Sequence, residues 1–221
     1  MSGPLSPKAI FFDFDGVLAE SVALKEGAFR ALFEPFGEDI ADQALAINRE
    51  MGAVSRIVKI ERMHRELLGR PLHSDELTEW AARFEAIVEA AVVGCAEVPG
   101  TTHLLNALTG RIQMFVISGT PEDEMQRIVE ARGWRDFFVS VHGSPRLKPD
   151  IVAELLARHG LAPEDGIFVG DTFTDRDAAL VNGVPFVGRR PVVRENPFPA
   201  DTLMVDDMAG LGRLIELGAA T

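Results

Sequence analysis

The chain contains one cysteine, Cys95, in 221 residues. A single thiol cannot form an intramolecular disulfide, and such sparing use suits a reducing compartment. Nor can Cys95 anchor a soft metal site, because no second cysteine or nearby histidine completes one. The five histidines, His64, His73, His103, His142 and His159, are scattered without metal-like spacing. Positive charge is also scarce. Against 34 Asp and Glu stand 22 Lys and Arg, a net charge of -12, which argues against a nucleic-acid footprint or an anionic membrane surface. No run of about eighteen uninterrupted apolar residues occurs, and the leader MSGPLSPK has no apolar signal core. These absences lead us to expect a soluble, cytoplasmic protein that engages neither nucleic acid nor membrane.

What the chain does have is core-forming material, with 47% hydrophobic residues, enough for one large domain or a core carrying a smaller insert. Short apolar runs at Ala9–Phe12, Ile112–Ile117, Phe137–Val141, Gly166–Val169, Pro185–Val187 and Leu203–Val205 read as strands. Helical patterns such as Glu122–Arg132, Pro149–His159, Asp175–Val181 and Met208–Leu217 lie between them. That alternation predicts an α/β fold, a Rossmann-like doubly wound parallel sheet covered on both faces. Residues 19–97 break the rhythm. They read as four amphipathic helices, Val22–Glu34, Asp39–Met51, Val54–Leu68 and Ser74–Val93, too long for one crossover. We therefore expect a helical cap at 19–97 inserted after the first strand, and a catalytic core at 1–18 and 98–221.

The chemistry concentrates at strand ends, where open parallel sheets bind ligands. The first strand runs into Asp13-Phe14-Asp15-Gly16. Two carboxylates so close repel each other and need a compensating cation. After the second run comes Ser118-Gly119-Thr120-Pro121; Thr120 reads as a helix N-cap and Pro121 as the first helical residue. Ser118 and the amides beyond it then face an anion. Arg146-Leu147-Lys148-Pro149 places Lys148 just before a helix, and Gly170-Asp171-Thr172-Phe173-Thr174-Asp175 follows another strand. Asp13, Asp15, Asp171 and Asp175 form an oxygen-rich set suited to Mg²⁺, a hard cation that needs few protein ligands.

In this order the motifs DFDGV, VISGT, LKP and VGDTFTD resemble those of the haloacid dehalogenase-like superfamily of phosphotransferases. The branch resembled carries a helical cap after the first strand, as in phosphoglycolate phosphatases and β-phosphoglucomutase. The resemblance implies that Asp13 is the nucleophile, becoming a phosphoaspartate. It implies that Asp15 is the general acid and base and lends its backbone carbonyl to Mg²⁺. Ser118 and Gly119 would hold the transferring phosphoryl group, and Lys148 would neutralise nucleophile and phosphate. Asp171 would be a direct metal ligand, with Asp175 a ligand through water or an orienting group. Glu20 stands where this branch often has aspartate.

Each motif alone has a blander explanation: a loop cap for Asp13 and Asp15, a capped turn for Ser118, a solvated lysine for Lys148. Asp177 reads as an exposed helix residue and Asp206-Asp207 as a turn and cap. Trp80, Phe84, Ile87 and Val88 fit the buried stripe of a helix. Arg49, Arg56 and Lys59 gather around a break at Met51-Gly52-Ala53-Val54, where Arg49 and Arg56 are candidates for substrate specificity. The expected function is Mg²⁺-dependent hydrolysis of a small phosphorylated metabolite, a sugar phosphate or phosphoglycolate, by a monomer or homodimer. A phosphomutase would use the same residues. A receiver-like signalling module shares the phosphorylatable aspartate, but the long helical insert and the late Gly170–Asp175 motif do not suit it. A dehalogenase does without the second aspartate of the pair.

Overall fold

A computed structural model describes residues 5–51, 54–193 and 195–215. The chain divides into two compact units, Met1–Glu20 with Cys95–Thr221, and Ser21–Gly94.

The first unit is built on six parallel strands: β1 (Ala9–Phe12), β2 (Gln113–Pro121), β3 (Ser140–Ser144), β4 (Gly166–Gly170), β5 (Phe186–Arg189) and β6 (Met204–Val205). Their order is β3-β2-β1-β4-β5-β6, with every pairing parallel. All four residues of β1 are fully buried, as a central parallel strand requires. Ala9 and Phe11 pack with Ile151, Val152 and Leu155 of α7 (Lys148–His159) and with Ala178 and Ala179 of α8 (Phe173–Val181). Side chains alternate along a strand, so Ile10 and Phe12 face the other side. The sheet is doubly wound, as the alternation of elements predicts. Successive strands leave β1 in opposite directions, through β2 to β3 and, on the other side, from β4 to β6. The crevice at such a switch point, beyond the carboxyl ends of β1 and β4, is where this architecture places ligands.

Tertiary pairing moved several boundaries. The run Phe137–Val141 splits: Arg135–Phe137 forms a 3-10 turn, Phe138 is buried outside the ladder, and β3 begins at Ser140. Its register on β2, Phe115↔Ser140 to Ile117↔His142, sets that start. Strand β2 continues past Ile117 to Pro121 through an irregular register, so Thr120 is an extended residue and not a helix cap. The next helix, α6, spans Glu122–Ala131 with Pro121 in the capping position. A short helix the hydrophobic pattern did not single out, α5 (Thr101–Leu108), follows Gly100, whose φ of 85° suits only glycine readily. The last helix, α9 (Met208–Leu214), was expected to reach Leu217, which lies outside the described residues.

The second unit contains α1 (Val22–Phe33), α2 (Glu38–Met51), α3 (Arg56–Leu67) and α4 (Ser74–Gly94). Its core is aromatic: Phe29 lies 4.4 Å from Phe84 and Phe33 5.0 Å from Trp80, between ring centroids. His64 sets its ring edge-on to Trp80 and places Nδ1 3.1 Å from the Arg70 carbonyl, a structural use. Trp80, Phe84 and Val88 are buried as expected, but Ile87 is 40% exposed. It falls on the outer flank of the helical stripe. Gly52 and Ala53, the centre of the expected break, lie outside the described residues.

Phe11 stacks on Phe115 and Phe168, with centroids 5.4 and 6.4 Å apart. Phe11→Ala should cost about 3–5 kcal/mol through lost transfer energy and the cavity left at the sheet's centre. Urea denaturation followed by circular dichroism measures it; a loss below about 1 kcal/mol would mean the surroundings collapse into the space.

Candidate active site

The four sequence motifs meet at the carboxyl ends of β1, β2 and β4 and the first turn of α7. Asp13 directly follows β1, and its amide donates to the Val169 carbonyl of β4 (2.9 Å). Gly16 then turns the chain with a φ of 77°. From the start of α7 the Lys148 ammonium donates to Asp13 Oδ1 (2.7 Å) and Asp175 Oδ1 (2.6 Å). Asp13 and Asp175 are buried, and the Lys148 side chain is nearly so, 11% exposed. The other Asp175 oxygen accepts from the Thr172 amide and hydroxyl (3.0 and 2.6 Å), which fixes the carboxylate at the start of α8. Gly170 makes room for it, since a Cβ there would overlap the Asp175 side chain.

Asp13, Asp171 and Asp175 each offer an oxygen within 4.8 Å of the others, and all three are buried. The Asp15 side chain lies outside this group. It accepts from the Thr120 hydroxyl (3.2 Å), with the Ser118 hydroxyl at 3.5 Å, while Ser118 Oγ accepts from the Thr120 amide (3.1 Å). Gly119 is exposed beside them. Thr120 is thus a site residue that was expected to cap a helix. Its signal was available: in an extended segment, positions two apart share a side, and Thr120 lies two beyond Ser118.

Burial would depress the Lys148 ammonium, but Asp13 and Asp175 outweigh it and hold the group protonated far above the ordinary lysine range. Burial pushes the Asp13 carboxyl up to about 7, against the pull of Lys148 and with the help of Asp175 and Asp15. One ammonium does not neutralise this many carboxylates. The donor set is all oxygen, anionic and partly preorganised, which fits a hard divalent cation.

The two candidate specificity residues belong to the helical unit, where both have partners. Arg49 Nε donates to Glu26 (3.0 Å) and remains largely exposed. Arg56 donates to Glu85 (3.1 Å) and lies over the Phe84 ring. Lys59 is buried, donating to Asn48 Oδ1 (2.7 Å) with its ammonium above the Phe29 ring.

Comparison with known proteins decides the family. The family model of haloacid dehalogenase-like hydrolases matches residues 7–183. The chain belongs to that family. It is 31% identical to a phosphoglycolate phosphatase of Rhodospirillum rubrum over 93% of this chain and 90% of that protein. A phosphoglycolate phosphatase of Pseudomonas putida is 27% identical over 93% of this chain and 78% of its own length. Among solved structures, CbbY from Rhodobacter sphaeroides in complex with phosphate shares the fold with a TM-score of 0.72. It is 22% identical, and the match covers 93% of this chain and 96% of that one. The chain is a phosphatase of the haloacid dehalogenase-like kind, in the branch with a helical unit inserted after the first strand. Among the described residues no helix is long and apolar enough to cross a membrane.

The acidic cluster makes cation binding measurable without turnover. Saturating Mg²⁺, at about 100 times its Kd, should stabilise the protein by about 2.7 kcal/mol, seen as a rise in Tm, and Asp171→Asn should remove most of that rise. Protons compete with the cation, and Asp13 holds its proton up to about pH 7, so the Mg²⁺ increment should shrink as pH falls below 7. Without cation the sign reverses. A carboxyl raised above its unfolded value contributes stability that is complete below pH 3.8 and lost as pH rises through about 7. Equal Tm with Mg²⁺ and with a chelator at pH 8 would remove the cluster as a cation site.

Proposed function

We propose that the protein hydrolyses a small phosphorylated metabolite through a phosphoaspartate on Asp13, with 2-phosphoglycolate the first substrate to test. The observation that carries this reading is the buried Lys148 ammonium 2.7 Å from Asp13 at the switch point of the sheet. The choice of substrate is supported by the phosphoglycolate phosphatases that match along nearly the whole chain.

Ser118, the amides around Gly119 and Lys148 hold the phosphoryl group in line with Asp13. An Asp13 carboxylate oxygen attacks phosphorus, the ester P–O bond breaks, and Asp15 gives its proton to the departing oxygen. Asp15 then takes a proton from water, which attacks the phosphoaspartate and releases inorganic phosphate and free Asp13. Thr120, donating to Asp15, holds that carboxyl toward the leaving group. A Mg²⁺ held by Asp13, Asp171 and the Asp15 backbone carbonyl would offset the charge gathered in the transition state. Asp175, with its oxygens engaged by Lys148 and Thr172, acts as an orienting group. Arg49 and Arg56 are the insert's proposed contribution to substrate choice.

A panel of phosphorylated metabolites assayed for Mg²⁺-dependent phosphate release tests the proposal. Release from none of them would overturn it, and an isomerised sugar phosphate in place of free phosphate would turn it to the phosphomutase reading. Asp13→Asn keeps the shape but removes the nucleophile, and kcat should fall by about a thousandfold or more. Retention of a tenth of the rate would sink the covalent route. Asp15→Asn should lose far more activity on an alkyl phosphate than on p-nitrophenyl phosphate, whose leaving group needs no proton. Equal losses on the two esters would deny Asp15 the acid role.

A further inference from the structure

Arg189 carries none of the motifs, yet it is almost completely buried, 3% exposed, at the end of β5. Its guanidinium makes four hydrogen bonds. Nε donates to the Asp206 carbonyl (3.3 Å), one terminal nitrogen to the Gly16 carbonyl (3.1 Å), and both terminal nitrogens to the Glu20 carboxylate (3.3 and 2.5 Å). Gly16 directly follows Asp15. Glu20 ends the return of chain that begins at Asp13.

That return is shaped from within by short-range bonds, Gly16 N–H to the Ala19 carbonyl (2.8 Å) and Leu18 N–H to the Phe14 carbonyl (2.9 Å). Such bonds fix its form but not its place. On one side the place is set by Glu20 N–H on Ala96 (3.0 Å) and by Thr101 Oγ1 on Leu18 (3.1 Å). On the other it is set by Arg189, which reaches across from β5, two strands away from β1. An ion pair with one partner buried and the other, Glu20, 31% exposed contributes little net stability compared with well-packed apolar side chains, so the fold alone does not call for an arginine here. A planar fork of donors gives geometry instead, because it fixes a carbonyl and a carboxylate at once.

We infer that Arg189 is a positioning residue of the reaction: by clamping the Gly16 carbonyl and the Glu20 carboxylate it fixes the Asp13–Glu20 return, and with it the place of Asp15. This rests on the role proposed for Asp15 above. Arg189 has no hydrogen bond to the nucleophile Asp13, so its loss acts through the place of Asp15, chiefly on the proton-transfer step, and not through a contact to substrate.

The test compares wild type with Arg189→Met, which keeps the length without the donors, Arg189→Lys, which restores some of them, and Glu20→Gln. Kinetics are run at temperatures where circular dichroism shows each variant folded. Arg189→Met should lower kcat by about 10- to 100-fold, the range seen when groups that orient a metal's ligands are removed, with KM for p-nitrophenyl phosphate nearly unchanged. The loss should be larger on an alkyl phosphate than on p-nitrophenyl phosphate, Arg189→Lys should recover part of it, and Glu20→Gln should fall between. Hydrogen exchange of the 13–20 segment should accelerate in Arg189→Met. A variant with a lower Tm but unchanged kcat and unchanged ratio between the two esters would overturn the inference. If wild type hydrolyses neither ester, the phosphatase reading of the site fails; unchanged exchange at 13–20 would then separately overturn the clamp.

Discussion

The site depends on one buried ammonium. Lys148 is drawn between Asp13 and Asp175, two carboxylates whose burial together would leave them uncompensated without a cation. The same contact joins three elements that are far apart in sequence: the end of β1, the first turn of α7 and the start of α8. Removing a buried charge that satisfies two others leaves both uncompensated, so here electrostatics and architecture are one constraint. Lys148 offsets part of the negative charge, and what remains makes the place attractive to a divalent cation.

Around that contact the two aspartates of the DxD pair part company. Asp13 faces the cation cluster, while the Asp15 side chain faces the hydroxyls at the end of β2. One intervening residue in extended backbone would send both side chains to the same side. The turn at Gly16 and the return that follows break that equivalence. Two carboxylates with different neighbours can hold different protonation states, which the roles proposed for Asp13 and Asp15 require. The Arg189 clamp belongs to this division, since it acts on the backbone just past Asp15.

The helical unit uses its polar residues on itself. Glu26 with Arg49, Asn48 with Lys59 and Glu85 with Arg56 are pairs within one bundle. A specificity role for either arginine therefore carries the cost of drawing it from a carboxylate.

The sequence by itself determined the fold class, the four motifs and their order, and the need of their carboxylates for positive charge. An all-apolar strand such as β1 has no stable place except inside a covered parallel sheet, and adjacent carboxylates announce their need for charge wherever they fold. Strand ends were less legible, as at β3 and in the extension of β2, because backbone pairing and not side-chain pattern decides where a ladder starts and stops. Only the tertiary structure decided that Lys148 holds Asp175 as well as Asp13, that Thr120 serves Asp15 and caps no helix, and that Arg189 lies on Gly16 and Glu20. Lys148 is 135 positions from Asp13 and Arg189 is 169 from Glu20. Periodicity reaches a few residues along a chain; the worth of a hydroxyl or a guanidinium depends on which distant carboxylate the fold lays beside it, and no local pattern records that.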